Sequence, residues 1–238
     1  MMRDCIDRTL KRRERRAPAS RAGAERRRER GLQLASTFAL LAALLISVLL
    51  CSCRRDEQLV DLEKEIPGIV LDIRYATTNN FTGQQLYPVA KCFLRRAAAE
   101  KLHDVQSELK SSGLGLKIFD GYRPLSVQKK MWEVYPHEGY VANPKKGSRH
   151  NRGAAVDLTL IRLSDRNELP MPTPYDDFTE RAHRRYKDLP EEQIRNRELL
   201  ERVMEKHGFR GLPTEWWHFD YGDWRRYEIL DVDYSRIR

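Results

Sequence analysis

Apolar positions in this chain recur in two rhythms. Ile69-Val-Leu-Asp-Ile-Arg-Tyr75 alternates with period two and predicts a strand. Asn79 to Gly83 reads as a turn or loop. From Phe93 to Leu109, Leu94, Ala98, Leu102, Val105 and Leu109 recur at spacings of three and four. That spacing predicts an amphipathic helix, stopped near Gly113. Leu116 to Asp120 predicts a strand, Gly121-Tyr-Arg123-Pro124 turns the chain, and Ser126 to Tyr135 predicts a short helix ended by Pro136. His137 to Gly147 is expected as loop. Ala154 to Leu160 alternates again, with Ala155, Asp157 and Thr159 on one face and Val156, Leu158 and Leu160 on the other. Pro170 to Asp177, with three prolines, is expected as loop. Glu191 to His207 predicts a second long helix, with Pro190 in its first turn and Gly208 just past its end. Thr214 to Tyr221 predicts a strand rich in aromatics. The mixture is α+β, with strands that need not be parallel.

The amino-terminal segment follows neither rhythm. Residues 1 to 30 are mostly charge, with runs such as Lys11-Arg12-Arg13 and Arg26-Arg27-Arg28. Leu34 to Leu50 then carries no charge at all. A basic region followed by an apolar one reads as an export signal. Leu50-Cys51-Ser52-Cys53 resembles a bacterial lipobox, which implies cleavage before Cys53 and lipid on its sulfur. An uncleaved anchor helix is the alternative; the run is near the lower length limit for spanning a bilayer. Either way the membrane is a partner, and the folded part faces the periplasm or outer surface. A start downstream of Met1 would instead leave a cytoplasmic domain. The expected organisation is a leader over 1–52, a tether over 53–62 and one folded domain over 63–238.

Charge changes its meaning once the leader is set aside. The whole chain of 238 residues carries +9, of which residues 1 to 52 hold +7 and the remainder +2. The excess positive charge is thus a leader property, and no nucleic-acid partner is expected. Cys5 and Cys51 fall in the leader and Cys53 is the expected lipid site, so Cys92 is left alone and no disulfide is expected in the mature domain. Cys92 is expected as a buried structural thiol. Nothing in the sequence speaks to oligomeric state.

The chemistry sits in two short stretches. His150 and Asp157 lie in Ser148-Arg-His150-Asn-Arg-Gly153-Ala-Ala-Val-Asp157, and Glu215-Trp-Trp-His218 follows near the carboxyl end. Two imidazoles and one carboxylate make a three-ligand set that leaves one position open, and a second carboxylate can serve as base. Asp157 among Ala155, Val156 and Leu158 is a charge in apolar surroundings, so it needs a metal or a partner. His150 and Asp157 can meet if His150 lies on a loop entering the strand that carries Asp157, and Gly153 and Ala154 let the backbone bend between them. Positions three apart on a strand face opposite ways, so Glu215 to His218 must contain a turn or bulge if both address one site.

The first stretch resembles the S-x-H-x-x-G-x-A-x-D motif of zinc D-Ala-D-Ala peptidases, and the second is similar to their E-x-x-H motif. Arg74-Tyr75-Ala-Thr-Thr-Asn-Asn-Phe-Thr-Gly83, Asp120-Gly-Tyr-Arg123-Pro and the stretch from Met171 to His183 narrow the resemblance to D-alanyl-D-alanine dipeptidases. It covers roughly Glu63 to Tyr221. It implies a single α+β domain with a central, mainly antiparallel sheet flanked by helices, as in hedgehog/DD-peptidase-like folds. It implies one Zn²⁺ per chain on His150, Asp157 and His218. Glu215 would be general base and acid, and Arg123 would stabilise the oxyanion. Asp176 would take the substrate ammonium, Ser148 and Tyr75 would touch its other polar groups, and Asp120 would orient Arg123 or help at the ammonium end. The implied reaction is hydrolysis of a small dipeptide, D-alanyl-D-alanine. The alternatives are a D,D-carboxypeptidase trimming peptidoglycan stems and a non-catalytic zinc lipoprotein that binds cell-wall peptides.

Overall fold

Two rhythms in the sequence become one layered fold in the computed structural model, which describes residues 55–237. The apolar run, the expected export signal, Cys5, Cys51 and the expected lipidation site Cys53 lie outside the described residues. The elements run β1 (Leu59–Asp61), α1 (Leu62–Glu65), β2 (Val70–Leu71), β3 (Phe93–Arg95), α2 (Arg96–Lys110), β4 (Leu114–Asp120), α3 (Leu125–Val134), β5 (Ala155–Arg162), α4 (Glu191–Lys206), β6 (Phe209–Leu212) and β7 (Glu215–Tyr221). Single 3₁₀ turns at Arg74–Ala76 and His150–Arg152 carry Tyr75 and His150.

Five strands form the main sheet in the order β2-β4-β5-β7-β6, antiparallel except for β2 beside β4. β5 is its middle strand, and every residue from Ala155 to Ile161 is buried. Helix α2 packs on β4, and α4 packs on β5, β6 and β7. The apolar stripe of α2 explains this: Ala98, Leu102, Val105 and Leu109 are all buried, each large one stabilising the domain by roughly 1.5–3 kcal/mol relative to exposure. Among the described residues no helix is long and apolar enough to cross a membrane. Cys92 is 1% exposed and free, and burial pushes its thiol up, as a structural role requires.

Four expectations change. Helix α2 begins at Arg96, because Phe93–Arg95 extends instead to pair with β1. Leu94 fits the helical spacing, but its neighbours are claimed by a partner strand that lies far back in sequence. That partner, Leu59–Asp61, falls inside the expected tether, where Leu59 and Val60 are nevertheless buried. The predicted strand over Ile69–Tyr75 shrinks to β2, an edge strand of two pairs, after which the chain turns Tyr75 inward. Strand β6 was not predicted; its pairing with β7 makes an edge strand of residues that carry no alternation of their own.

Candidate metal centre and its pocket

Strand pairing builds the centre. Asp157 on β5 lies opposite His218 on β7, and Asp120 at the end of β4 lies opposite Asp157 on its other side. Three polar side chains therefore sit abreast on the three central strands. A register shift after Ile118 brings Asp120 level with Asp157. His150 arrives from its 3₁₀ turn, which closes on Gly153 in the left-handed region at φ 66°. A Cβ there would stand 2.6 Å from Leu59 Cδ2, so only glycine lets the chain turn from His150 into β5.

His150 Nε2, His218 Nδ1 and Asp157 Oδ1 converge, with separations of 3.1, 3.0 and 3.4 Å. Ligands at about 2.0–2.1 Å from a tetrahedral zinc stand roughly 3.3 Å apart, so the donor set fits that ion. The outer nitrogens fix the tautomers. His150 Nδ1 is 2.8 Å from the Gly121 carbonyl, and His218 Nε2 is 2.9 Å from Asp220 Oδ1. With a proton on each outer nitrogen, both inner lone pairs face one point. All three groups are buried. Burial opposes the Asp157 charge, yet the two imidazoles hold its carboxyl far below the usual range. Burial likewise opposes charge on His218, but Asp157 and Asp220 raise it to about 10 in the metal-free protein.

Glu215 reaches the same point because β7 is irregular. Its partners step from Gly211 opposite Phe219 to Leu212 opposite Glu215, so β7 holds extra residues between them. This is the bulge that three-apart positions on one site require. Glu215 Oε2 lies 3.9 Å from His218 Nδ1. Burial pushes the Glu215 carboxyl up to about 7, with His218 pulling it down and Asp157 pushing it up.

Arg123 is 8% exposed and fully braced. Its Nη2 and Nε donate to Asp120 Oδ2 at 2.6 and 3.0 Å, and Nη1 donates to Gln128 Oε1 at 2.9 Å. Asp120 is completely buried, and its other oxygen accepts from Tyr87 and from the Gly121 amide. It stands behind Arg123 rather than on the pocket wall.

Around the centre lies a pocket of about 140 Å³, lined by Tyr75, Arg123, Ser148, His150, Asp157, Asp176, Glu215 and His218, with Phe81, Tyr140 and Phe178 as apolar walls. Drug-sized ligands need about 300–1,000 Å³, so a smaller molecule fits here. Tyr75 donates to both carboxylate oxygens of Asp176 at 3.1 Å. Burial, followed by the charge of Asp157, pushes the Asp176 carboxyl well above its ordinary value.

Three residues of this centre escaped the sequence reading. Tyr175 donates to Asp157 Oδ2 at 2.9 Å from the irregular stretch between Met171 and His183, which supports the family resemblance as a whole but gives no role to Tyr175. Gln128 lies on α3 and meets Arg123 only through the fold. Asp220 was legible: it is two residues after His218 on one strand, hence on the same face.

The Peptidase_M15 family, described as D-ala-D-ala dipeptidase, matches residues 55–236. The chain is 38% identical over 178 residues to the D-alanyl-D-alanine dipeptidase of Escherichia coli (strain K12), covering 75% of this chain and 92% of that protein. It is 32% identical over 196 residues to the D-alanyl-D-alanine dipeptidase of Enterococcus faecalis (strain ATCC 700802 / V583), covering 73% and 92%. Among solved structures, the vancomycin resistance D,D-dipeptidase VanXYg with a D-Ala-D-Ala phosphinate analog aligns at TM-score 0.35 and 18% identity, over 69% of this chain and 66% of that one.

Proposed function

This chain belongs to the Peptidase_M15 family of D-Ala-D-Ala dipeptidases, and from that premise we propose that it hydrolyses free D-alanyl-D-alanine to two D-alanines with one zinc ion. The observation that carries the reading is the convergence of His150, Asp157 and His218 on one point with Glu215 beside it. Bound there, zinc supplies Lewis acidity that brings a water's pKa to about 7 and polarises a carbonyl.

The chain's own residues do the rest. Glu215 takes a proton from the attacking water and returns it to the departing amine nitrogen as the C–N bond breaks; a base poised near neutrality suits both transfers. Arg123 offers its remaining N–H donors to the oxygen that gains charge in the tetrahedral state. Its braces hold it there without reorganisation. Asp176, held by Tyr75, accepts the substrate ammonium, whose positive charge favours the ionised carboxylate that burial otherwise disfavours. An N-acylated peptide lacks that ammonium and leaves Asp176 uncompensated.

The assay compares D-Ala-D-Ala with its N-acetyl derivative, with and without chelator. Rapid cleavage of the free dipeptide alone, lost on chelation, is expected. Equal cleavage of both would make the protein a D,D-carboxypeptidase, and zinc content without cleavage of either would make it a binding lipoprotein. The fold we assign is hedgehog/DD-peptidase-like. We also take residues 1–52 as an export leader and Cys53 as a lipidated residue that tethers the enzyme to the membrane. Mass spectrometry of the mature amino terminus should find a diacylglyceryl-modified Cys53; an unmodified Met1 would overturn the lipid anchor.

A further inference from the structure

Two cations line the pocket, Arg123 and Arg149, and they are held differently. Arg123 spends donors on Asp120 and Gln128. Arg149 has one ionic neighbour, Asp220, with Nε 3.4 Å from Oδ2, and its guanidinium carbon lies 4.9 Å from the centre of the Trp224 ring. Its two terminal amino groups donate to no protein group among the described residues, and its side chain is 42% exposed. Stacking on an indole holds a guanidinium plane while leaving its edge donors available.

The adjoining sequence position supports the same reading. The Ser148 hydroxyl oxygen accepts the His150 amide at 3.2 Å, and its own proton is committed to no protein acceptor among the described residues. Ser148 and Arg149 line both the metal pocket and a neighbouring hollow of about 320 Å³, whose other charged walls are Lys146, Arg152 and Glu138. Glu138 is already paired with Lys146 at 2.8 Å. Asp176 and Tyr75 line the metal pocket and not that hollow. Asp176 thus stands on the Tyr75 side of the pocket, where the Arg123 guanidinium also lies over the Tyr75 ring, and Arg149 stands on the Trp224 side. A free dipeptide also carries opposite charges, ammonium at one end and carboxylate at the other.

We propose that Arg149, with the Ser148 hydroxyl as second donor, binds the terminal carboxylate of the dipeptide and so sets the enzyme's preference for a free carboxyl end. The proposal rests on the dipeptidase reading. It gives the pocket a charge match at both substrate ends, which a bond inside a longer chain cannot satisfy.

The test measures kcat and KM for D-Ala-D-Ala and for D-alanyl-D-alaninamide, which differs only in its neutral carboxamide end. Wild type, Arg149→Gln and Arg149→Lys are compared, with zinc content measured on each. Wild type should favour the free acid in kcat/KM by roughly tenfold to hundredfold, the range for a charge-assisted pair. In Arg149→Gln that preference should collapse, chiefly through a higher KM for the free acid, with zinc retained. Arg149→Lys should recover part of it. If Arg149 served only to hold Asp220 against His218, zinc would be lost and both substrates would suffer alike, which overturns the proposal. An unchanged preference in Arg149→Gln overturns it too, as does a wild type that cleaves both substrates equally. A wild type that cleaves neither overturns the dipeptidase reading itself.

Discussion

Glu215 is only 6% exposed, and its carboxyl is raised from 4.5 to about 7. The direction sets a stability prediction for the metal-free protein. Below pH 4.5 the group is protonated whether the chain is folded or not, so it contributes nothing. Between 4.5 and 7 the unfolded chain ionises first, and rising pH favours unfolding; above 7 the penalty is constant. Glu215→Gln removes that penalty. The variant should match wild type near pH 4 and exceed it at pH 8 by up to about 3 kcal/mol, read by denaturant unfolding with chelator present. Equal stability at pH 8 would show that the carboxyl is not held in a disfavoured state. The same variant should keep zinc and lose roughly 10²–10⁴-fold in turnover, the usual share of a general acid–base. At this scale the sequence was generous. His150, Asp157, His218 and Glu215 were legible because their residue types and spacing are chemically unusual. Tyr175 and Gln128 were not, because each matters only through a contact that crosses between elements.

Between residues and the whole, the critical devices are the two irregular joints that flank the candidate metal centre. One is the turn at Gly153, and the other is the bulge in β7 before Phe219. Gly153→Ala forces a side chain into the left-handed region and against Leu59. The expected loss is about 1–2 kcal/mol of stability, with weaker zinc binding because His150 is displaced. Chemical denaturation and a competitive zinc titration check both, and wild-type values in each would refute the role of the joint. Both joints were inferable from the spacing of site residues, since straight elements cannot bring those side chains together. The short edges were not. β1, β2 and β6 have at most four residues each, too few to show a period, and they exist because β3, β4 and β7 offer them backbone partners.

Over the whole molecule, the three side chains that could hold one metal ion come from β5, from β7 and from the turn entering β5. A metal held by such separated segments binds only the folded chain, so it must stabilise the fold. Zinc at a hundredfold excess over its dissociation constant should add about 2.7 kcal/mol, seen as a rise in melting midpoint that chelator reverses. A midpoint indifferent to zinc would remove the centre from the fold. The long periodic elements α2, β4, β5 and α4, the ligand types, the room for a bend at Gly153 and the need for a break before His218 were all determined by the sequence alone, because periodicity and donor chemistry are local properties. The alignment of Asp120, Asp157 and His218 across three strands, the bracing of Arg123, and the placing of Arg149 at the pocket beside Trp224 were decided only by the tertiary structure. Strand register and side-chain contact depend on residues far apart in the chain, and no local pattern encodes which of them will meet.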